Sequence, residues 1–213
     1  MTVSYAFTLS GVDVVKAVMP QVPPHILEWR KRTGADQWDE MWEGVLHMPP
    51  SPNREHHGLE WVIETWLRQY WAGPRGCKVY HQINVASIGG WPDDYRIPDL
   101  VLLTPERFDI DHNEYFEGAP AVVVEIRSPG DEAYDKMPFY AKLGVPELWI
   151  IDRDTKQPEL HLPEGTALAQ QPADGEGWLQ SPATGIQLRG ETGGKLALQI
   201  GGAPVTRRVV PED

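Results

Sequence analysis

Ala121-Val-Val-Val-Glu-Ile-Arg127, Asp131-Glu-Ala-Tyr-Asp-Lys-Met-Pro-Phe-Tyr-Ala-Lys-Leu-Gly144 and Val145-Pro-Glu-Leu-Trp-Ile-Ile151 follow one another, with Ser128-Pro129-Gly130 between the first two. The first run reads as a buried strand: four apolar residues lead into Glu125, and a side-chain period of two sets Val123, Glu125 and Arg127 on one face. The second fits a helix. Pro138 is tolerated near a first turn and Gly144 is the expected stop. Lys136 and Tyr140, spaced i and i+4, share a side of it. The third run is again a buried strand. Strand, helix, strand predicts a βαβ crossover, and therefore two parallel strands in an α/β fold.

Upstream, Ile97-Pro-Asp-Leu-Val-Leu-Leu103 repeats the pattern of one carboxylate, Asp99, in a strand-like apolar run opened by proline. Burial drives a lone carboxyl towards its neutral form, so Asp99 and Glu125 call for a cation: Arg127, Lys136 or a metal. The clearest helix is expected from Ser51-Pro52, with apolar residues at Leu59, Val62, Ile63, Trp66, Leu67 and Tyr70. At 100° per residue His56 falls on the margin of that stripe, Glu60 and Glu64 farther round, and His57 nearly opposite. His56 and Glu60 are one turn apart, and they gain a role only with partners from elsewhere.

The rest of the chain narrows the class. At 213 residues with 20 Gly, 20 Pro and a single cysteine, Cys77, it offers no intrachain disulfide, Cys-based zinc cage or CxxC pair. No window approaches the ~18 apolar residues of a membrane span, and Met1–Met19 lacks the pattern of a signal peptide, so a soluble cytoplasmic protein is expected. A net charge of −12 weighs modestly against non-specific DNA coating while leaving room for a local or metal-bridged site. Three parts are expected: an N-terminal arm (1–36) with a short helix from Pro24 before Gly34, a core (37–154), and a β-rich extension of hairpins (155–213) packed on the same domain. Of the nine tryptophans, Trp61, Trp66, Trp71 and Trp149 read as packing. Trp29, Trp38, Trp42 and Trp91 are open to base stacking or to self-association into a homodimer.

Taken in order, Arg96-Ile-Pro-Asp-Leu-Val-Leu-Leu103, Val123-Val-Glu-Ile-Arg-Ser-Pro-Gly-Asp131, Lys136 with Tyr140, and Gly144-Val-Pro-Glu-Leu-Trp-Ile-Ile-Asp152 resemble the Uma-two family, a branch of the PD-(D/E)XK nucleases. The resemblance runs from about Asp39 to Asp152, and the tail, including Gly177-Trp178 and Ser181, is similar to that family's C-terminal hairpins. It implies a restriction-endonuclease-like mixed central sheet flanked by helices, with a β-hairpin C-terminal extension. It also implies an endonuclease that hydrolyses DNA phosphodiesters with Mg²⁺ or Mn²⁺. On that resemblance Asp99 and Glu125 hold the metal and His56 assists at the metal or a phosphate. Arg127 stands where the superfamily has lysine, and would steady a phosphate rather than tune a water. Lys136 matches a lysine that the family carries on the following helix, and would orient the attacking water. Two readings compete: a buried ion network of Asp99, Glu125, Arg127 and Lys136 that only holds strands together, and a catalytically inactive nuclease-fold binding module.

Overall fold

The computed structural model describes residues 17–19 and 22–211; residues 1–16 and 20–21 of the expected arm lie outside the described residues. The chain opens with β1 (Ala17–Met19), α1 (Pro24–Thr33), β2 (Glu40–Trp42) and β3 (Val45–Met48). α1 is the short helix expected from Pro24. It ends where Gly34 takes a left-handed φ of 69°, a conformation glycine adopts without a Cβ clash. β2 and β3 form a hairpin, and β1 pairs antiparallel with β3.

α2 (Arg54–Trp66) passes through a π-helical turn, Leu67–Ala72, into α3 (Gly73–Arg75). The helix begins three residues after the expected Ser51. Asn53 is the cap, its side-chain oxygen accepting from the His56 backbone N–H at 3.0 Å, and Pro52 stays outside. Leu59, Ile63, Trp66 and Leu67 are buried as their spacing predicts. Trp61 is not a packing residue: it is 66% exposed. Two residues from Ile63, it lies about 160° round the helix, on the solvent side.

Next come β4 (Lys78–His81), β5 (Asn84–Ala86), β6 (Tyr95–Arg96), β7 (Leu100–Leu103), a 3₁₀ turn (Pro105–Ile110), β8 (Tyr115–Glu117) and β9 (Val122–Arg127). α4 (Met137–Leu143), β10 (Leu148–Asp152), β11 (Pro158–Glu164) and β12 (Ala167–Gln170) follow. The central sheet has the order β12-β11-β10-β9-β7-β4. β9 and β10 are parallel and joined through α4, as the βαβ reading requires, while β9–β7, β7–β4 and β10–β11 are antiparallel. The sheet is therefore mixed.

Two element boundaries differ from expectation. The strand predicted from Ile97 starts at Leu100, because Pro98 has no N–H to give and Asp99 turns its side chain onto the Ile126 N–H at 2.5 Å. The helix predicted from Asp131 starts at Met137, because the Asp131 carboxylate accepts the backbone N–H groups of Ser128 and Ala133 and closes a turn in place of a helix.

A second sheet, β1-β3-β2-β6-β5-β8, carries Glu40, and β13 (Leu179–Gln180), β14 (Ile186–Glu191), β15 (Lys195–Ile200) and β16 (Ala203–Val210) make an antiparallel third. Period-two alternation along β9 divides the core. Val122, Val124 and Ile126 pack with α2 and with Leu179, Ile186, Leu188, Leu196 and Leu198 of the third sheet. Val123 packs with Phe139 and Tyr140 of α4. Glu125 therefore emerges on the α4 side, facing Lys136 and Tyr140. β1 from the arm and β11–β12 from the extension are strands of sheets that also hold core strands.

Candidate active site

The carboxyl end of the parallel β9–β10 pair, the first turn of α2 and the loop before β7 enclose a cavity of about 590 Å³. Glu40, His56, Asp99, Glu125, Lys136 and Arg153 line it. The α2 N-cap sets His56, whose Nε2 lies 2.7 Å from Asp99 Oδ1 and whose Nδ1 lies 3.3 Å from Ser128 Oγ. Asp99 is fixed in turn by the Ile126 N–H, so one backbone amide of β9 couples the two halves of the site. Glu60, one turn after His56, accepts from Gln82 Nε2 at 3.1 Å, and its carboxylate lies 3.5 Å from the ring of His57.

Across the cavity, Tyr140 donates to Glu125 at 2.6 Å. The Lys136 ammonium meets Glu40 at 2.8 Å, the Ile97 carbonyl at 3.1 Å and Glu125 at 3.3 Å. Glu40 also accepts the Ile97 N–H at 2.9 Å and the Trp42 indole N–H at 2.7 Å. Each buried polar atom named here has a partner, as desolvation demands.

Glu40, Glu60, Asp99 and Glu125 thus face Lys136 and His56 in poorly solvated surroundings. Burial, and then the neighbouring Asp99 charge, push the Glu60 carboxyl up to about 7. Burial also raises Glu125 above the ordinary carboxylate range; Lys136 pulls it the other way, and Asp99 and Glu40 add to the rise. Burial opposes the charge on Lys136, but Glu125 and Glu40 together hold it well above the usual lysine range, as a permanent ammonium. Burial likewise disfavours the His56 imidazolium, and the Asp99 hydrogen bond and charge outweigh it, leaving His56 raised.

Of the residues singled out in the sequence, His56, Asp99, Glu125 and Lys136 meet in this cavity. Arg127 does not: its guanidinium is bound to Asp152 and lies 5.6 Å over the Tyr134 ring, outside the cavity lining. It shares the Glu125 face, but one further pleat carries it beyond the cavity to the end of β10. His57 is half exposed, as its helix position predicts. Of the metal set expected from Asp99, Glu125 and His56, two members share a compact group with Glu60. Among the described residues the ligand atoms of His56, Glu60 and Asp99 all lie within 4.8 Å of one another, while Glu125 is engaged by Tyr140 and Lys136. Glu40, Ser128, Gln82 and Arg153 were not found from sequence. The one-turn spacing of His56 and Glu60 was the available signal for Glu60.

A mixed sheet with acids at the starts and ends of adjacent central strands, and a lysine entering from the N-cap of the crossover helix, defines the restriction-endonuclease-like fold class. The chain belongs to the Uma2 family, described as "Putative restriction endonuclease", whose profile matches residues 25–196. Among solved structures it is similar to one described as a "putative nuclease belonging to DUF820" from Anabaena variabilis. The TM-score is 0.53 and the identity 19%, over 68% of this chain and 82% of that one, a likeness of fold. No curated protein matches the chain. Among the described residues no helix is long and apolar enough to cross a membrane.

Proposed function

We propose that this chain is a divalent-metal-dependent phosphodiesterase that cuts DNA, using Mg²⁺ or Mn²⁺. The observation that carries the reading is the charge balance of the cavity: five carboxyl groups line it, Glu40, Asp99, Glu125, Asp131 and Glu132, against one ammonium (Lys136), one guanidinium (Arg153) and the His56 imidazole, with Glu60 beside them pushed up to about 7. A structural ion network would balance its charges, whereas this one has room for a dication. Oxygen-rich donors suit either ion, and the His56 nitrogen favours Mn²⁺ over Mg²⁺. Asp99, Glu125, Glu60 and His56 would hold the ion.

When bound, it would supply Lewis acidity to a phosphate oxygen and acidify a coordinated water. The chain's own residues do the positioning. Tyr140 orients the Glu125 carboxylate, and the Ile126 amide orients Asp99. Lys136, held as an ammonium, donates to Glu40, Glu125 and the Ile97 carbonyl, so it positions those acids and does not abstract a proton.

Cleavage of plasmid DNA in Mn²⁺ and in Mg²⁺ tests the reading, beside Asp99→Asn and Glu125→Gln variants shown by circular dichroism to be folded. Each variant should lose at least about 100-fold in rate. Undiminished cleavage in either rejects the assignment. DNA binding without cleavage by the wild type would make the protein an inactive nuclease-fold binding module.

A further inference from the structure

The cations near the cavity differ in what they have left to offer. The Lys136 ammonium has three donors and three acceptors around it, in Glu40, Glu125 and the Ile97 carbonyl. Both ring nitrogens of His56 are engaged, by Asp99 and Ser128. Arg127 is taken by Asp152.

Arg153 is in another position. Its backbone N–H donates to the Arg127 carbonyl at 2.9 Å, which pins it at the carboxyl end of the parallel β9–β10 pair. Its side chain is 16% exposed and lines the cavity. Nε holds Asp154, a half-exposed carboxylate from the next residue, at 2.8 Å, and Nη1 reaches Ser128 Oγ at 3.4 Å. Nη2 has no hydrogen-bond partner among the described contacts. Ser128 Oγ is the atom that His56 Nδ1 also approaches, so an unbroken chain of contacts runs from Asp99 through His56 and Ser128 to Arg153.

We propose that Arg153, and not Arg127, is the phosphate-binding residue of this site, its guanidinium taking the non-bridging oxygens of the DNA phosphate next to the Asp99–His56 pair. The inference rests on the phosphodiesterase reading above and gives it a substrate contact. A guanidinium fork matches two phosphate oxygens, and the half-exposed Asp154 is a weakly held local partner that a phosphate displaces. The other lysine or arginine that lines the cavity is Lys136, whose donors are already engaged.

The test compares wild type with Arg153→Ala, Arg153→Lys and, as a charge control, Lys142→Ala, whose side chain is 73% exposed and outside the cavity lining. Two quantities are measured: kcat and KM on a duplex oligonucleotide in Mn²⁺, and duplex affinity at several salt concentrations with Ca²⁺ replacing Mn²⁺. Arg153→Ala should lower kcat/KM about 30-fold or more, chiefly through KM, and reduce the slope of log affinity against log salt by about 1. Arg153→Lys should restore the slope and only part of kcat/KM, while Lys142→Ala stays within about twofold on every measure. An Arg153→Ala enzyme within about twofold of wild type with an unchanged slope overturns the assignment. If the wild type cuts no DNA, the phosphodiesterase reading fails by itself, and titration with inorganic phosphate decides on Arg153. Binding lost in Arg153→Ala and kept in Lys142→Ala sustains it; equal binding in both, or none in wild type, overturns it.

Discussion

The hydroxyl of Tyr140 is fully buried and donates to Glu125, so each of these residues satisfies the other. Tyr140→Phe keeps the ring and removes the donor, leaving a buried carboxylate one hydrogen bond short at a cost of ~1–3 kcal/mol. Because that bond draws the Glu125 carboxyl downward, its loss pushes the group further up. Urea denaturation should show the destabilisation, and calorimetric Mn²⁺ titration should show weaker binding with a larger deficit at pH 7 than at pH 9. A deficit equal at both pH values would contradict the account. Glu125 and Asp99 were legible because a lone carboxylate in an apolar run is costly enough to need a reason. Glu60 was less so: helical periodicity sets it only about 60° from Ile63, and whether that edge is buried depends on Gln82, which the period of α2 cannot report. Glu40, within Asp39-Glu-Met-Trp-Glu-Gly44, carries the signature of an ordinary polar hairpin, and nothing in it points to Lys136.

At the scale of elements, the site depends on where α2 begins. Asn53 caps the helix through the backbone N–H of His56, the residue whose ring meets Asp99. Removing the cap in Asn53→Ala should lower stability by ~1 kcal/mol in urea and weaken Mn²⁺ binding, since the frayed turn is the one that aims His56. Stability lost with metal affinity unchanged would separate the cap from the site. The β9–α4–β10 crossover was readable because hydrophobic runs, a glycine stop and a tolerated proline all agree. The start of α4 was not, because the Asp131 side chain competes with the helix for backbone N–H groups, and that choice is made by a turn rather than by periodicity. Arg153 was hidden for a similar reason: Ile151-Asp-Arg-Asp-Thr155 reads as a turn, and only the pairing of β9 with β10 brings it to the cavity.

Across the whole molecule, the buried acids write a pH dependence into stability. The Glu60 carboxyl rises from an ordinary 4.5 to about 7, so between those values the folded chain holds a proton that the unfolded chain has released. Its contribution is complete below pH 4.5 and is lost as pH climbs through 7. Glu125, Asp39 and Glu147 are raised by burial and act with the same sign, and His56, raised above 6.5, loses its contribution above that value. The opposing carboxyl groups, Asp152, Glu106 and Glu191, are held below their ordinary 3.8, 4.5 and 4.5, so their stabilisation fades only on the acid side. Metal-free protein should therefore lose stability from about pH 5 to pH 8, with Glu60 contributing on the order of 2–3 kcal/mol. Glu60→Gln, which has no proton to lose, should flatten that slope. A dication that must displace these protons should bind about tenfold more tightly for each proton and pH unit gained, and should raise Tm more at pH 8 than at pH 6. Thermal melts of wild type and Glu60→Gln across this range, with and without Mn²⁺, measure all three effects. Metal-free stability that rises towards pH 8 would mean that the acids of the cavity are already neutralised within the fold, and the charge argument for a metal would fall with it.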